Sequence, residues 1–138
     1  MTGTRLVAAS GIGAGQARHR VVTCRPLAVA GSSGSGTTGI VDGAGREARF
    51  DGADGLAVSA CGLELYVADT NNHRVRRVNL RSLVVDTVAG DGSSASLTTN
   101  GVRAAFATLP SPRGVAVAAD GATLFVSVSH GVVGIALN

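Results

Sequence analysis

The stretch AGSSGSGTTGI, residues 30–40, is the first place where residue types and spacing could do chemistry. Gly34, Gly36 and Gly39 spell G-x-G-x-x-G, the turn that brings backbone amides against a dinucleotide pyrophosphate, and Gly31 and Gly36 begin a P-loop. A P-loop needs lysine next, because that mobile cation reaches the phosphates the amides cradle. Thr37 stands there, and the chain has no lysine. The dinucleotide turn needs a helix after its third glycine, with its N-terminus facing the pyrophosphate. Here Gly43, Gly45, Gly52 and Gly55 leave no helix of useful length, at about 1 kcal/mol per interior glycine. The GIGAGQ run at 11–16 has Gln16 in the third glycine position. The loop is therefore expected to turn the chain, with no nucleotide cofactor.

Two other groups could carry chemistry. Asn72, His73, Arg74, Arg76 and Arg77 form a dense polar cluster, suited to binding, with Asp69 and Asn71 just before it and Arg81 just after. The structural reading is that Asp and Asn satisfy backbone groups in a tight turn while arginine lines a seam. The binding reading is that the arginines attract a polyanion such as RNA. With no tryptophan and one tyrosine, few platforms exist for stacking bases. The histidines, His19, His73 and His130, lie near no nucleophile elbow, and Cys24 and Cys61 show neither C-x-x-C spacing nor a histidine at metal-ligand distance. No catalytic residue and no metal site is assigned. Both cysteines read as free thiols of a reducing compartment, with a disulfide between them as the alternative.

The elements that position these residues follow from composition. In 138 residues, 45% are hydrophobic, 15% are charged and 20 are glycine, which excludes a disordered chain and favours short strands joined by turns. The net charge of +3 sits in the N-terminal segment: the first acid is Asp42, and from there eight arginines face nine acids. Residues 1–26 are accordingly set apart as a disordered or targeting segment, and residues 27–138 as the folded domain. No apolar run reaches the ~18 residues of a membrane helix. Cytoplasmic placement is favoured. A mitochondrial leader is the alternative, opposed by Gly11, Gly13 and Gly15, which break an amphipathic helix.

The domain contains a repeat. LAVAGSSGSG at 27–36 aligns with DTVAGDGSSA at 86–95, an offset of 59, and GLAVSACGLELYVAD at 55–69 aligns with GVAVAADGATLFVSV at 114–128 by the same offset. Between them, GREARF at 45–50 is matched to GVRAAF at 101–106, an offset of 56, so that Phe50 pairs with Phe106 as Tyr66 pairs with Phe125. HRVRRVNL at 73–80 matches HGVVGIAL at 130–137 with two residues lost in the turn. Strands are predicted at 55–59, 64–69, 74–80 and 83–89, then at 114–118, 123–128 and 132–137, with 27–30 as a lone outermost strand. Four-stranded units at this period are the mark of β-propeller blades.

LYVADTNNHRVRRV at 65–78, with GLAV before it and TVAG after it, closely resembles the NHL repeat, and LPSPRGVAV at 109–117 resembles that family's opening of a new blade. The resemblance covers residues 27–138 and is weaker in the second unit, where VSVSHGVV replaces the motif core. It implies an all-β fold of about two four-stranded antiparallel blades, a partial propeller. It also implies a binding module for another protein or for further blades, self-association included. The alternatives it leaves are an RNA-binding surface and a fragment of the related metal-dependent propeller hydrolases and lyases.

Overall fold

Two glycine-pinned hairpins show why this sequence folds as it does. Ser59 and Gly62 close a turn through Gly62 N–H to Ser59 O at 2.9 Å, and Ala118 and Gly121 close its counterpart at the same 2.9 Å. Gly62 and Gly121 hold φ of 73° and 70°, a region that costs an L side chain about 1 kcal/mol or more. The structure, a computed structural model, describes residues 5–7, 21–23, 28–31, 38–97 and 103–137. Gly34, Gly36, Leu27, Cys24, His19 and the 11–16 run lie outside them.

The strands are β1 (Arg5–Val7), β2 (Val21–Thr23), β3 (Gly43–Ala44), β4 (Ala53–Val58), β5 (Glu64–Asp69), β6 (Arg74–Asn79), β7 (Val84–Ala89), β8 (Val115–Val117), β9 (Thr123–Val128) and β10 (Gly131–Ala136). Single 3-10 turns occupy Thr70–Asn72 and Ala104–Phe106. β1 and β2 pair only with each other. The rest form two antiparallel sheets, ordered β3-β7-β6-β5-β4 and β10-β9-β8. The seven strands predicted in the two units all occur within a residue or two of their expected limits. The two-residue β3 widens the first sheet beyond four strands.

Side chains alternate across each sheet, so each unit has two faces. One face of the first unit carries Tyr66, Ala68, Val75 and Ala89, the last three set in line by the β5–β6 and β6–β7 registers. It packs on Leu109, Leu124, Val126, Val133 and Ile135 of the second unit, and this junction is the larger core. The other face carries Leu65, Val67, Val78 and Val85, covered by Ala48, Phe50, Val29 and Ala30. At the junction the innermost strands nearly touch: Gly55 N–H donates to Arg113 O at 2.7 Å. A Cβ on Gly55 would run into that carbonyl, so only glycine allows the approach.

The structure corrects the middle of the repeat. Gly31 N–H donates to Gly45 O at 2.7 Å, and Gly90 N–H to Ala104 O at 3.0 Å; Glu47 N–H donates to Ala44 O and Phe106 N–H to Arg103 O. Each pair differs by 59 residues, so no insertion interrupts the repeat and Phe106 corresponds to Glu47. That position lies on an exposed turn, and Phe106 is 66% exposed. The counterpart of Phe50 is Leu109, fully buried. The resemblance of A-x-F to itself had shifted the alignment by one 3-10 turn. Tyr66 and Phe125 do share a register, yet Tyr66 is 2% exposed and Phe125 46%, because the second unit covers only the first. Residues 28–30, predicted as strand, belong to no sheet.

Candidate binding cleft

The polar cluster of residues 69–77 divides between the two faces of its sheet. Asp69 ends β5 wholly buried. Its Oδ1 accepts Asp51 N–H at 2.7 Å, and its Oδ2 accepts Asn72 Nδ2 at 2.8 Å and Arg76 Nη1 at 2.9 Å. Asn72 Nδ2 also donates to Gly39 O at 2.8 Å, tying the turn to the glycine loop. His73 leaves the 3-10 turn in the left-handed region, φ 53°, and its Nδ1 accepts Ser111 N–H at 3.0 Å from the second unit. Arg74 Nη2 donates to Asp91 O at 3.1 Å, while its Nε is buried without a partner.

Arg76 is fully enclosed. Beyond Asp69 it donates to Asp42 Oδ1 through Nε at 3.0 Å and Nη2 at 2.6 Å, to Arg49 O at 2.9 Å and to Val41 O at 2.7 Å. Its guanidinium lies 4.9 Å from the centre of the Phe50 ring. A buried guanidinium is tolerable only with this degree of pairing. The second unit replaces the whole set. Val128 stands for Asp69, Val133 for Arg76 and Leu109 for Phe50, and Val133 and Leu109 are buried apolar side chains. Asn72, His73, Arg74 and Arg76 thus serve the turn, the inter-unit contact and the core.

Arg77 points the other way, into a cleft of about 500 Å³ between the units, lined by Glu64, Tyr66, Asp86, Val88, Ile135 and Leu137 among others. Cross-strand registry brings its polar members together, Tyr66 opposite Arg77 and Arg77 opposite Asp86. Arg77 grips Asp86 with both Nε and Nη2, at 3.0 and 2.6 Å, and reaches Glu64 Oε1 at 3.4 Å. Tyr66 donates its hydroxyl to Glu64 Oε2 at 2.8 Å. Burial first, and the Glu64 carboxylate second, push the Tyr66 phenol up to about 12. The hydrogen bond to Asp86 holds the Arg77 guanidinium more firmly protonated than usual. Two carboxylates against one guanidinium leave the quartet with a net charge of −1. The opposing wall from β10 is apolar.

Of the five predicted binding residues, only Arg77 lines this cleft. Glu64, Tyr66 and Asp86 were not singled out as binding residues, because what unites them is cross-strand registry across three strands. Their period-two placement, with Glu64 and Tyr66 two apart on one strand, was the available signal. Among the described residues no three His, Cys, Asp or Glu side chains gather where a metal ion could sit.

Two twisted antiparallel sheets stacked face to face around adjoining inner strands are blades of a β-propeller. Residues 50–78 match the NHL repeat family. Over 92 residues the chain is 36% identical to NHL repeat-containing protein 2 of Gallus gallus, covering 66% of this chain and 12% of that protein. Over 62 residues it is 42% identical to SUPPRESSOR OF QUENCHING 1, chloroplastic, of Arabidopsis thaliana, covering 45% of this chain and 6% of that protein. Among solved structures, an auxiliary nutrient binding protein from Bacteroides thetaiotaomicron superposes with a TM-score of 0.59 at 26% identity, over 78% of this chain and 26% of that one. A protein of unknown function from the same organism gives the same TM-score and coverage at 20% identity, a likeness of fold. The chain spans about a quarter of these solved chains and an eighth or less of the curated relatives.

Proposed function

We propose that this chain is a protein-binding propeller module whose inter-unit cleft takes a short peptide segment bearing a cationic side chain beside an aliphatic one. The observation that carries this reading is the make-up of the cleft: a Glu64–Tyr66–Arg77–Asp86 floor of net charge −1 facing an apolar wall of Ile135 and Leu137. Pockets of this kind bind by burying apolar surface while a few fixed polar groups set orientation. A lysine or arginine of the ligand adds a second cation between Glu64 and Asp86, and its aliphatic neighbour rests on the β10 wall. A polyanion such as RNA finds less here. Arg76 is enclosed by its own carboxylates and Arg77 is held by Asp86 and Glu64, so these two arginines of the run present little free charge.

Panning a random peptide library against the chain tests the reading. Enriched peptides should pair a basic residue with an aliphatic one, and Glu64→Gln with Asp86→Asn should weaken them about tenfold or more, the scale of one charge-assisted contact. Enrichment of acidic peptides, or undiminished binding by the double variant, refutes it.

A further inference from the structure

We propose that a second binding site lies at the turn between β9 and β10 and takes a single neutral sugar ring, free or at the end of a glycan. It sits at the opposite end of the strands from the cleft, and it stands independently of the peptide reading.

The two units build this turn differently. Residues 70–73 join β5 to β6, whereas Ser129 and His130 alone join β9 to β10. The anchor is kept: Asn71 N–H donates to Asp51 O at 3.0 Å, and Ser129 N–H donates at 3.0 Å to the carbonyl 59 residues further on, that of Pro110. The bridge is lost. In the first unit Asn72, 7% exposed, reaches from the turn to Gly39 O at 2.8 Å and so joins turn to loop. The shorter turn has no such residue, and a groove of about 290 Å³ opens between it and the loop at 94–97.

Ser111 lines this groove. It stands 59 residues after Gly52, and both are left-handed, with φ of 48° and 69°. A Cβ on Gly52 would come within 2.8 Å of Asn71 Nδ2, so the longer turn demands glycine. The shorter turn admits a side chain, and serine there keeps a conformation that suits glycine better. An outlier of this kind persists where its surroundings impose it, and it points to a use for the side chain. His73 Nδ1 accepts Ser111 N–H at 3.0 Å, which fixes the backbone and leaves the hydroxyl over.

The lining selects the ligand. The hydroxyls of Ser94, Ser96 and Ser111 make no hydrogen bond among the described residues, whereas Ser129 commits its own to Pro110 O. Each free hydroxyl both donates and accepts, as a sugar hydroxyl does, and the His130 imidazole adds a further polar edge. Among the described residues no carboxylate, lysine or arginine lines the groove, so neither a cation nor an anion finds a fixed counter-charge. Leu97 and Pro110 offer apolar surface to the C–H face of a pyranose. The volume is at the lower limit of the roughly 300–1000 Å³ of ligand pockets, which suits one ring.

Titrating the 138-residue chain with glucose, galactose, mannose and N-acetylglucosamine, followed by NMR of its methyl and imidazole signals, is the experiment. At least one sugar should shift the Leu97 methyls and the His130 ring saturably, with a Kd of about 1–10 mM, the strength open to so small a ligand. Ile135 and Leu137 of the cleft should stay unmoved. Ser111→Gly removes the hydroxyl and keeps a backbone that glycine adopts freely. It should weaken binding about threefold to tenfold, the loss of one neutral hydrogen bond, with the melting temperature retained. Exchanging Ser129-His130 for the Thr-Asn-Asn-His sequence of the first turn, in the Ser111→Gly chain that has room for it, should abolish binding. Equal binding of the methyl glycoside admits a ring carried on a glycan, and its loss confines the site to the free sugar. The proposal is overturned if no sugar moves these signals, if inorganic phosphate moves them instead, or if sugar binding is indifferent to both Ser111→Gly and the exchanged turn. Each of those results leaves peptide binding in the cleft as it stands.

Discussion

Replacing Arg76 by alanine removes a guanidinium that makes five hydrogen bonds, two to Asp42 and one each to Asp69, Val41 O and Arg49 O. Breaking one side of a buried ion pair costs about 3–5 kcal/mol, because the surviving charge stays buried. Asp69 keeps two donors, Asp51 N–H and Asn72 Nδ2, which lowers the figure. The space emptied beside Phe50 raises it. The expected loss is therefore about 3–4 kcal/mol, a large share of the ~5–15 kcal/mol that holds a typical domain together. Copying the second unit should recover part of it. Asp69→Val with Arg76→Val puts aliphatic side chains where Val128 and Val133 stand, removing both charges at once. Asp51 N–H and Asn72 then lose an acceptor, so recovery over Arg76→Val alone should stop at about 1–2 kcal/mol. Urea unfolding followed by circular dichroism, run on the wild type, both single variants and the double variant, supplies the cycle. An Arg76→Ala cost below about 1 kcal/mol, or a double variant costing the sum of its singles, would refute the view that this network is a coupled structural unit.

Tyr66 is the chain's only tyrosine, so tyrosinate absorbance reports it alone; it should titrate at about 12, falling partway toward 10 in Glu64→Gln because burial is the larger cause. Its folded pKa lies above the unfolded value, so its contribution to stability is complete below about pH 10 and is lost as pH rises through about 12. Val67→Ala is expected to cost ~1–2 kcal/mol in the smaller core, measured as a shifted urea midpoint; no shift would remove Val67 from that core. Gly55→Ala should cost more than Gly62→Ala, since the first drives a methyl into the Arg113 carbonyl and the second pays only for its φ of 73°; equal melting temperatures would contradict the close approach of β4 and β8. Cys61 is exposed, and a hydrogen bond with Ser59 lowers its pKa, so with Cys24 replaced by serine it should react quickly with a thiol reagent near neutral pH and more slowly in Ser59→Ala.

How far the sequence reveals the molecule depends on whether a feature is local. The strands were legible because period-two alternation and paired glycine turns at 62 and 121 are written within a few residues. The Asp69–Asn72 turn was legible for the same reason. The middle of the repeat was misread because GREARF and GVRAAF match in letters, whereas the hydrogen bonds of the turns at 44–47 and 103–106 equate GREARF with AAFATL. Burial of Phe50 and Leu109 depends on what packs over them, which a pairwise match of residues does not encode. The cleft was hidden for a related reason. Glu64, Arg77 and Asp86 lie on three strands, and their proximity is a property of register.

The weak second repeat is better understood as an exchange of one consistent set of contacts for another than as decay. Three members of the first unit's buried network have apolar counterparts: Asp69 in Val128, Arg76 in Val133, and Phe50, with its overlying cation, in Leu109. Exchanging one member alone would have left a buried charge or an unfilled donor, so these positions had to change together or stay. The match to the NHL family ends at residue 78, within the unit that keeps the polar version. Geometry survives the exchange because backbone registry carries it. β9 and β10 pair as β5 and β6 do, and β8 meets β9 as β4 meets β5, without one ion pair in common. In this fold the polar network tightens one turn and seats one arginine, and the stacking of apolar sheet faces makes the blade.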